Sequence, residues 1–255
     1  MIKYARVKNM DKKTILVTGA SSGLGKEIIR LFAKNNYNCI INYLSHEKEA
    51  LALQKEIEEK YNIECLCIEA DISNDKDVEY MYKKSISKFN KIDVLVNNAS
   101  ISNDSLVEDK NKEDFMRILE VNLYGTFNVS KLFGKNMYEN KKGKIINIGS
   151  TNGIDTYYEY STDYDSSKAG VINLTHNLAN HFAPYVNVNC VCPGWINTPM
   201  NKNMDKDFKE KEINKILLHR FAEPEEIANL VYFLSTDEAN YINDSIIRID
   251  GGKKC

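Results

Sequence analysis

Short apolar runs alternate with longer amphipathic segments along this chain. The runs that predict strands span residues 14–18, 39–43, 65–68, 92–96, 144–149, 186–191 and 246–249. Most are apolar throughout, which is typical of strands covered on both faces, and the segments between them are long enough for crossover helices. After Gly25, for example, Ile28, Ile29 and Phe32 fall on one side of a predicted helix. The pattern predicts a doubly wound α/β fold, with seven parallel strands and helices on both faces of the sheet.

The length and the apolar content of the chain predict one domain. The chain has 255 residues, of which 43% are hydrophobic, and this is enough to bury one sizeable core over residues 1–255. Residues 1–13 form a polar lead-in before the first predicted strand. Residues 197–218 are the least regular part and are rich in Lys, Asp and Asn. They form either a mobile lid over a site or a solvated surface helix.

Charge and cysteine content argue against several classes of protein. The formal net charge is -2, with acids and bases spread along the chain, so we expect no nucleic-acid or membrane partner. No run of 18 apolar residues occurs, which predicts a soluble, cytoplasmic protein. The six cysteines include two C-x-C pairs in predicted strands, which we interpret as buried thiols. Neither the cysteines nor the four histidines have metal-ligand spacing, so we predict no metal site.

A glycine-rich loop directly follows the first predicted strand. Residues 18–25 read TGASSGLG, and the first crossover helix begins at once. Glycines here allow a tight turn and a close backbone approach to a pyrophosphate, which the positive end of the helix attracts. The loop therefore predicts Rossmann-like dinucleotide binding. The second strand ends in Asn42 and Tyr43 without an acidic residue, and Ser45 and His46 follow. Because no carboxylate there would repel a 2′-phosphate, the sequence favours NADP over NAD.

Four tyrosines precede a lysine in the segment YYEYSTDYDSSK. A phenol has a pKa near 10 and exchanges protons poorly at neutral pH unless a neighbour stabilises its ionised form. Of the four, only Tyr164 has a lysine, Lys168, one helical turn later, where an ammonium favours the phenolate. The same spacing follows Tyr4, Tyr80 and Tyr138, but none of these lies past the carboxyl end of a predicted strand, where open α/β sheets bind ligands. Position therefore selects Tyr164.

Ordered motifs extend this interpretation over nearly the whole chain. They are TGASSGLG, ADIS, NNAS, VNLYG, INIGS, YDSSKAG and PGWINTPM. In this order and spacing they resemble the short-chain dehydrogenase/reductases, and NNASISNDSL with the closing IDGG is similar to bacterial 3-oxoacyl-acyl-carrier-protein reductases. The resemblance implies an NAD(P)-dependent oxidoreductase of fatty acid biosynthesis that transfers hydride between nicotinamide and a carbonyl or alcohol. It also implies homodimers or homotetramers, formed through the helices at 112–138 and 164–182.

The resemblance implies a role for each candidate site residue. Tyr164 would pass a proton to the substrate oxygen, and Ser150 would hydrogen-bond the same oxygen. Lys168 would hold the nicotinamide ribose, and Asn122 would hold a water that connects Lys168 to solvent. Asp71 would contact the adenine. The other residues that would bind the cofactor, together with Tyr164 and Lys168, are Gly19, Ser21, Ser22, Gly23, Leu24, Gly25, Tyr43, Ser45, Ile72, Asn98, Ala99, Pro193, Gly194, Ile196 and Thr198.

Acyl carrier protein is the partner that the resemblance implies. It is acidic, so a face that docks it should carry lysines or arginines. Lys141, Lys142 and Lys144 offer positive charge, whereas Asn180 and His181 stand where an arginine is expected. The carrier as the source of the substrate is therefore less well supported than the class of reaction.

Departures from the family pattern leave two other functions open. Ser100 replaces the usual glycine after NNA, and the segment 151–163 is one residue longer and carries Asp155, Glu159 and Asp163. This acidic segment and its tyrosines, which form either walls of the substrate opening or surface aromatics, suit a dehydrogenase of a free sugar, polyol or other small alcohol. The remaining alternative is a cofactor-sensing protein without catalysis, which should lack the Tyr or the Lys. The three tyrosines concerned are Tyr157, Tyr158 and Tyr160.

Overall fold

Seven parallel strands form one sheet in the computed structural model, which describes residues 12–201 and 204–252. The strands are β1 (Thr14–Val17), β2 (Asn38–Tyr43), β3 (Cys65–Glu69), β4 (Val94–Asn97), β5 (Gly143–Ile148), β6 (Val186–Pro193) and β7 (Ile246–Ile249). Their order across the sheet is β3-β2-β1-β4-β5-β6-β7, and every neighbouring pair is parallel. The doubly wound fold and its seven predicted strands are confirmed, with ends that differ from the prediction by at most two residues.

Helices cover both faces of the sheet. They are α1 (Gly23–Lys34), α2 (Glu47–Tyr61), α3 (Asp75–Phe89), α4 (Lys112–Leu119), α5 (Thr126–Glu139), α6 (Thr162–Phe182), α7 (Lys206–Lys215) and α8 (Pro224–Leu234). Helix α1 packs between α2 and α8, whereas α5 packs between α3 and α6. The helices of each face enclose one of the two main apolar layers.

Strand residues alternate between these two layers. Ile15 and Val17 of β1 join the layer that contains Phe32, whereas Leu16 joins the layer that contains Phe133. Because both faces of each inner strand are buried, the strands need apolar residues at every position. This is the physical reason for the uninterrupted apolar runs in the sequence.

The direction in which strands are added reverses between β1 and β4. The chain passes from β1 outward to β2 and β3, returns to β4 beside β1, and continues outward on the other side. Loops that leave the carboxyl ends of such neighbouring strands diverge to opposite faces and open a crevice that binds ligands. Here the crevice is bridged at its base, because Asn98 Nδ2 donates hydrogen bonds to the carbonyls of Thr18, at 2.9 Å, and Gly19, at 3.1 Å. The fold thus places the glycine-rich loop beside the end of β4.

Five cysteines lie within the described residues, and all are free thiols. Cys39, Cys65, Cys190 and Cys192 are buried free thiols and Cys67 is partly buried, while Cys255 and residues 1–11 lie outside the described residues. Within 12–201 and 204–252, no group of His, Cys, Asp or Glu could hold a metal ion. None of the helices in these two ranges combines the length and the apolar character that crossing a bilayer requires.

Candidate active site

A cavity of about 590 Å³ lies over the carboxyl ends of the strands at the reversal point. Its walls come from the glycine-rich loop, from the ends of β2 to β6, and from the segment 197–218. The predicted site residues that line it are Gly19, Ser21, Ser22, Gly23, Leu24, Tyr43, Ser45, Asp71, Ile72, Asn98, Ala99, Ser150, Tyr164, Lys168, Pro193, Gly194, Ile196 and Thr198. Gly25 and Asn122 do not line the cavity. The fold therefore brings all the other predicted site residues to one cavity.

The glycine-rich loop has the geometry that a pyrophosphate needs. Gly19 has a positive φ of 62°, and a Cβ on Gly25 would lie 2.7 Å from both Asn98 Nδ2 and the Gly19 carbonyl oxygen. The first turn of α1 has no acidic residue, and the side chain of its N-cap, Ser22, makes no capping hydrogen bond. The backbone N–H groups and the positive end of the helix dipole remain free for an anion. These residues fit the phosphates of a dinucleotide cofactor.

Strand β2 ends in two uncharged residues, Asn42 and Tyr43, where an acidic residue would bind the ribose hydroxyls of NAD. Asn42 is buried; its Oδ1 accepts a hydrogen bond from the N–H of Gly19 at 3.3 Å, and its Nδ2 donates to the Ala70 carbonyl at 3.0 Å. Asn42 thus holds the glycine-rich loop in place. Burial raises the pKa of Tyr43, and two nearby carboxylates, Glu47 and Glu69, raise it further. The Ser45 side chain is exposed at the rim of the cavity.

Asp71 is held by an arginine that the sequence did not point to. Its carboxylate accepts hydrogen bonds from the N–H and hydroxyl of Ser73, at 2.9 and 2.6 Å, and from Arg117 at 2.8 Å. Burial alone would raise the pKa of Asp71, but the bonds from Ser73 and Arg117 outweigh it and lower the pKa. Arg117 itself lines the cavity. Its pairing with Asp71 joins residues 46 positions apart, and no local pattern could have revealed it.

The three residues predicted for proton transfer lie together beyond the end of β5. Ser150 follows the strand, Tyr164 lies in the first turn of α6, and Lys168 lies one turn further. The ammonium of Lys168 is buried; it donates a hydrogen bond to the Ile148 carbonyl at 2.9 Å and lies 5.4 Å from the centre of the Tyr164 ring. A serine hydroxyl, a phenol and an ammonium thus share one wall of the cavity.

Burial decides the protonation of the Tyr164 and Lys168 pair. Tyr164 lines the cavity and is partly accessible there, but surrounding protein raises its pKa to about 12, against the lowering effect of the Ser150 and Ser100 hydroxyls. Burial also lowers the pKa of Lys168 to about 8. The sequence predicts that the Lys168 ammonium lowers the pKa of Tyr164, whereas in the protein alone desolvation raises it. The phenol is therefore protonated at neutral pH.

Asn122 lies behind the cavity in a widened helical turn. The helix predicted over 112–138 is interrupted by the π-helical segment Glu120–Gly125, which contains Asn122. The Asn122 side chain accepts a hydrogen bond from the Ile101 N–H at 2.8 Å, and donates to the Ile101 carbonyl at 2.9 Å and the Ser167 hydroxyl at 3.0 Å. Such π segments are frequent at functional sites. Asn122 thereby joins the segment after β4 to α6, the helix of Tyr164.

Aromatic residues close one side of the cavity. Of the three tyrosines considered for the substrate opening, only Tyr158 lines the cavity, while Tyr157 is 86% exposed. Tyr158 contacts Phe208 of α7 at 5.6 Å between ring centres and Trp195 at 6.3 Å. Trp195 also donates a hydrogen bond to Glu212 of α7 at 3.1 Å. The segment 197–218 therefore packs against the cavity wall through α7.

The lysines considered for carrier docking lie at the wrong edge of the sheet. Lys141 and Lys142 precede β5 and Lys144 is its second residue, so they are at the amino ends of the strands, opposite the cavity. Lys144 is buried, and its ammonium donates to the side-chain oxygens of Asn187 and Asn240. These lysines therefore add no positive charge at the mouth of the cavity, because a parallel sheet separates the two ends of every strand.

The sequence also gave no indication of a buried ion pair beside Tyr164. Lys110, from the segment after β4, donates to both carboxylate oxygens of Asp163, at 2.9 and 2.8 Å. Asp163 is the residue before Tyr164, and the two partners are 53 positions apart. A single lysine in a polar, charged segment carries no pattern that could have identified it.

Comparison with known proteins agrees with this geometry. The family model described as short chain dehydrogenase matches residues 13–209. The 3-oxoacyl-[acyl-carrier-protein] reductase FabG of Thermotoga maritima is 35% identical over 95% of this chain and 98% of its own length. The protein of the same name from Staphylococcus epidermidis is 36% identical over 94% of this chain and 98% of its own.

A solved structure gives the same result. The crystal structure of levodione reductase superposes with a TM-score of 0.88 at 29% identity, over 94% of this chain and 96% of the other. All three comparisons indicate the same family: the family model, which matches most of the chain, the relatives, and this structural neighbour. The chain belongs to the short-chain dehydrogenase family and is an oxidoreductase that uses a nicotinamide cofactor.

Proposed function

We propose that this enzyme reduces the keto group of a 3-oxoacyl thioester and that NADPH is its hydride donor. The observation that carries the proposal is the placement of Ser150, Tyr164 and Lys168 in one cavity with an anion-binding glycine loop. The identity of 35–36% with 3-oxoacyl-acyl-carrier-protein reductases over nearly the whole chain supports the choice of substrate. An acyl group carried on acyl carrier protein is the physiological form in this proposal.

Each residue of the site has a defined task in this reaction. When bound, the nicotinamide supplies the hydride. The Tyr164 phenol, which is protonated because burial raises its pKa to about 12, donates its proton to the substrate oxygen. The Ser150 hydroxyl hydrogen-bonds that same oxygen, and the buried ammonium of Lys168 holds the nicotinamide ribose. Asn122 holds the segment after β4 and α6 together, and a water near it connects Lys168 to solvent.

The remaining cofactor contacts follow from the walls of the cavity. The glycine-rich loop and the start of α1 bind the pyrophosphate, and the residues from Pro193 to Thr198 close over it from the other side: a Cβ on Gly23 would lie 3.8 Å from Thr198 Cβ. Asp71 and Ile72 contact the adenine. NADPH is favoured because neither Asn42 nor Tyr43 places a carboxylate against a 2′-phosphate.

We infer that the segment 197–218 is a lid, since Phe208 of α7 packs on Tyr158 and Trp195 of the cavity wall. Tyr124 and Phe127 are exposed aromatic residues beside and within α5, and they support a homodimer or homotetramer formed through the α5 and α6 faces. In this proposal the enzyme is a single cytoplasmic domain.

A second candidate function is the interconversion of a small ketone and alcohol. The structural similarity to levodione reductase favours it, as do the carboxylates of Asp104, Glu212 and Asp250 in the cavity wall, which do not suit the approach of an acidic carrier protein. Lys215 is the one lysine of α7 in this wall, and it pairs with Glu212. A small neutral substrate would not meet this repulsion.

Initial rates separate the two candidates. The enzyme would be assayed with NADPH and with NADH on a 3-oxoacyl thioester, free and attached to acyl carrier protein, and on small ketones. Turnover of the thioester with NADPH supports the first function, and a carrier advantage that declines with added salt supports docking of the carrier. Turnover of the small ketones alone would establish the second. Absence of turnover with every substrate would refute both.

A further inference from the structure

Asp163, the residue before Tyr164, forms a buried ion pair with Lys110. Their side chains are 0% and 6% exposed. In every other ion pair between described residues, at least one partner is 31% or more exposed. Burying two charges has a large desolvation cost, and such pairs contribute little net stability compared with apolar residues of similar volume. Stability alone is therefore a poor explanation for this pair.

The ion pair connects the segment 98–111, which contains Lys110, to the first turn of α6, which contains Asp163 and Tyr164. Asp163 also accepts a hydrogen bond from the backbone N–H of Tyr164 at 2.8 Å. The Lys110 ammonium also contacts the Asn103 carbonyl, and the N–H of Ser105 donates to the Tyr160 carbonyl at 3.0 Å. The segment 98–111 is thus held against α6 and the residues before it by the buried ion pair and by a backbone hydrogen bond.

Ser100, in the segment 98–111, places its hydroxyl near the phenol of Tyr164. The Ser100 oxygen is buried and forms no hydrogen bond with any described residue, although it lies close enough to Tyr164 to lower the pKa of the phenol. A buried hydroxyl without a partner is uncommon and needs a reason. Its place beside the proton donor provides one, because it can bond the phenol oxygen or the substrate oxygen when the site is filled.

A second aspartate anchors the opposite side of Tyr164. The carboxylate of Asp165 accepts hydrogen bonds from Asn152 Nδ2 and the Ser161 hydroxyl, each at 2.7 Å, and from the N–H of Tyr158 at 3.1 Å. These three residues belong to the segment that follows Ser150. The residues on both sides of Tyr164 therefore bind the two segments that supply the Ser100 and Ser150 hydroxyls.

We propose that Lys110 and Asp163 are positioning residues of the reaction, whose ion pair holds the segment 98–111 and its Ser100 hydroxyl against the phenol of Tyr164. The proposal rests on the reduction described above, in which that phenol donates the proton. Misplacement of reacting groups by about 1 Å can cost about 10²-fold in rate. The cofactor-binding residues of this segment, Asn98 and Ala99, are anchored separately by hydrogen bonds to Thr18 and Gly19. Loss of the pair should therefore lower kcat and leave cofactor binding nearly unchanged.

Variants of both partners test this role. Lys110→Met should lower kcat by about tenfold or more, with the Kd for NADPH within about twofold of the parent. Lys110→Arg should retain most of kcat, because it preserves the charge. Arg30→Met is the matched control: it breaks the ion pair of Arg30 with Glu56 between α1 and α2, at 2.9 and 2.7 Å, which touches no residue of the site. It should lower stability without lowering kcat.

Each single substitution to an apolar residue leaves a buried charge without a partner and can prevent folding, so a double variant is also needed. In Lys110→Met/Asp163→Leu both charges are removed, so no buried charge lacks a partner. This double variant should fold and retain cofactor binding, yet show the same loss of kcat. A double variant or a folded Lys110→Met variant with the kcat of the parent would overturn the proposal.

Amide hydrogen exchange provides a measurement that does not depend on turnover. Exchange over residues 98–111 and 158–166 should become faster in Lys110→Met, whereas in Arg30→Met the increase should be confined to α1 and α2. If the parent reduces no carbonyl at all, the proposed function is wrong. Hydrogen exchange then still tests whether the Lys110–Asp163 ion pair holds the segment 98–111 in place. If the parent is active and exchange over 98–111 is unchanged in Lys110→Met, the positioning role is wrong.

Discussion

The ammonium nitrogen of Lys168 lies 5.4 Å from the centre of the Tyr164 ring and donates a hydrogen bond to the Ile148 carbonyl at 2.9 Å. This bond holds the charge over the ring, one turn along α6. Burial then dominates both groups, so the pKa of Tyr164 rises to about 12 and that of Lys168 falls to about 8. At neutral pH the protein alone keeps a protonated phenol beside an ammonium, the state from which a carbonyl can be reduced.

Removal of the Tyr164 hydroxyl should greatly lower turnover and spare cofactor binding. Tyr164→Phe loses only the hydroxyl, so we expect kcat to fall by about 10²- to 10⁴-fold. The Kd for NADPH should change little, and it can be measured from the quenching of Trp195, the one tryptophan of the chain. Tyr157→Phe is the control, because Tyr157 is exposed and lies outside the cavity wall. Equal kcat values for Tyr164→Phe and the parent would rule out this phenol as the proton donor.

The pH dependence of reduction should report Lys168. The phenol keeps its proton up to about pH 12, whereas Lys168 loses its charge as the pH rises through about 8. Since the charged form is the active one, kcat/KM for reduction should be constant below this pH and fall above it. Lys168→Arg keeps its charge throughout this range. Its remaining activity should therefore lack the fall, and an unchanged fall in this variant would assign the titration to another group.

The fold could be predicted from the sequence because its determinants are local and periodic. Strands buried on both faces need an apolar residue at every position, and TGASSGLG marks the turn from β1 to α1. Tyr164 and Lys168 could be selected for the same reason, since their spacing of one helical turn and their place after β5 are readable along the chain. These features need no knowledge of which distant residues meet.

Other parts of the site depend on distant contacts and on burial. Arg117 reaches Asp71 across 46 positions, and Lys110 reaches Asp163 across 53. The direction of the Tyr164 pKa shift could not be predicted either. The sequence shows the nearby ammonium of Lys168, but it does not show how deeply the phenol is buried.

A methyl group in the glycine-rich loop should weaken cofactor binding. In Gly25→Ala the new Cβ would lie 2.7 Å from Asn98 Nδ2 and from the Gly19 carbonyl oxygen, so the loop must shift. Overpacking typically costs about 1–3 kcal/mol, and we expect the Kd for NADPH to rise about tenfold or more. Gly170→Ala is the control, since the atoms nearest to its Cβ belong to the Leu123 side chain, which can rotate away. Similar Kd values for both variants would contradict a cofactor site at this loop.

The choice between NADPH and NADH should depend on charge at the end of β2. Ser45 is exposed at the rim of the cavity, just past Tyr43. A carboxylate in Ser45→Asp should repel a 2′-phosphate and lower kcat/KM for NADPH by about tenfold or more, while leaving that for NADH unchanged or higher. Ser45→Asn has nearly the same shape as Ser45→Asp without the charge, so it should keep the preference of the parent.

The salt dependence of Ser45→Asp gives a further check. The ratio of its kcat/KM values for NADPH and NADH should return toward that of the parent at high salt, because the site is open to solvent. If Ser45→Asp and Ser45→Asn give the same ratio, the 2′-phosphate does not lie at this rim, and the basis given for the NADPH preference is wrong.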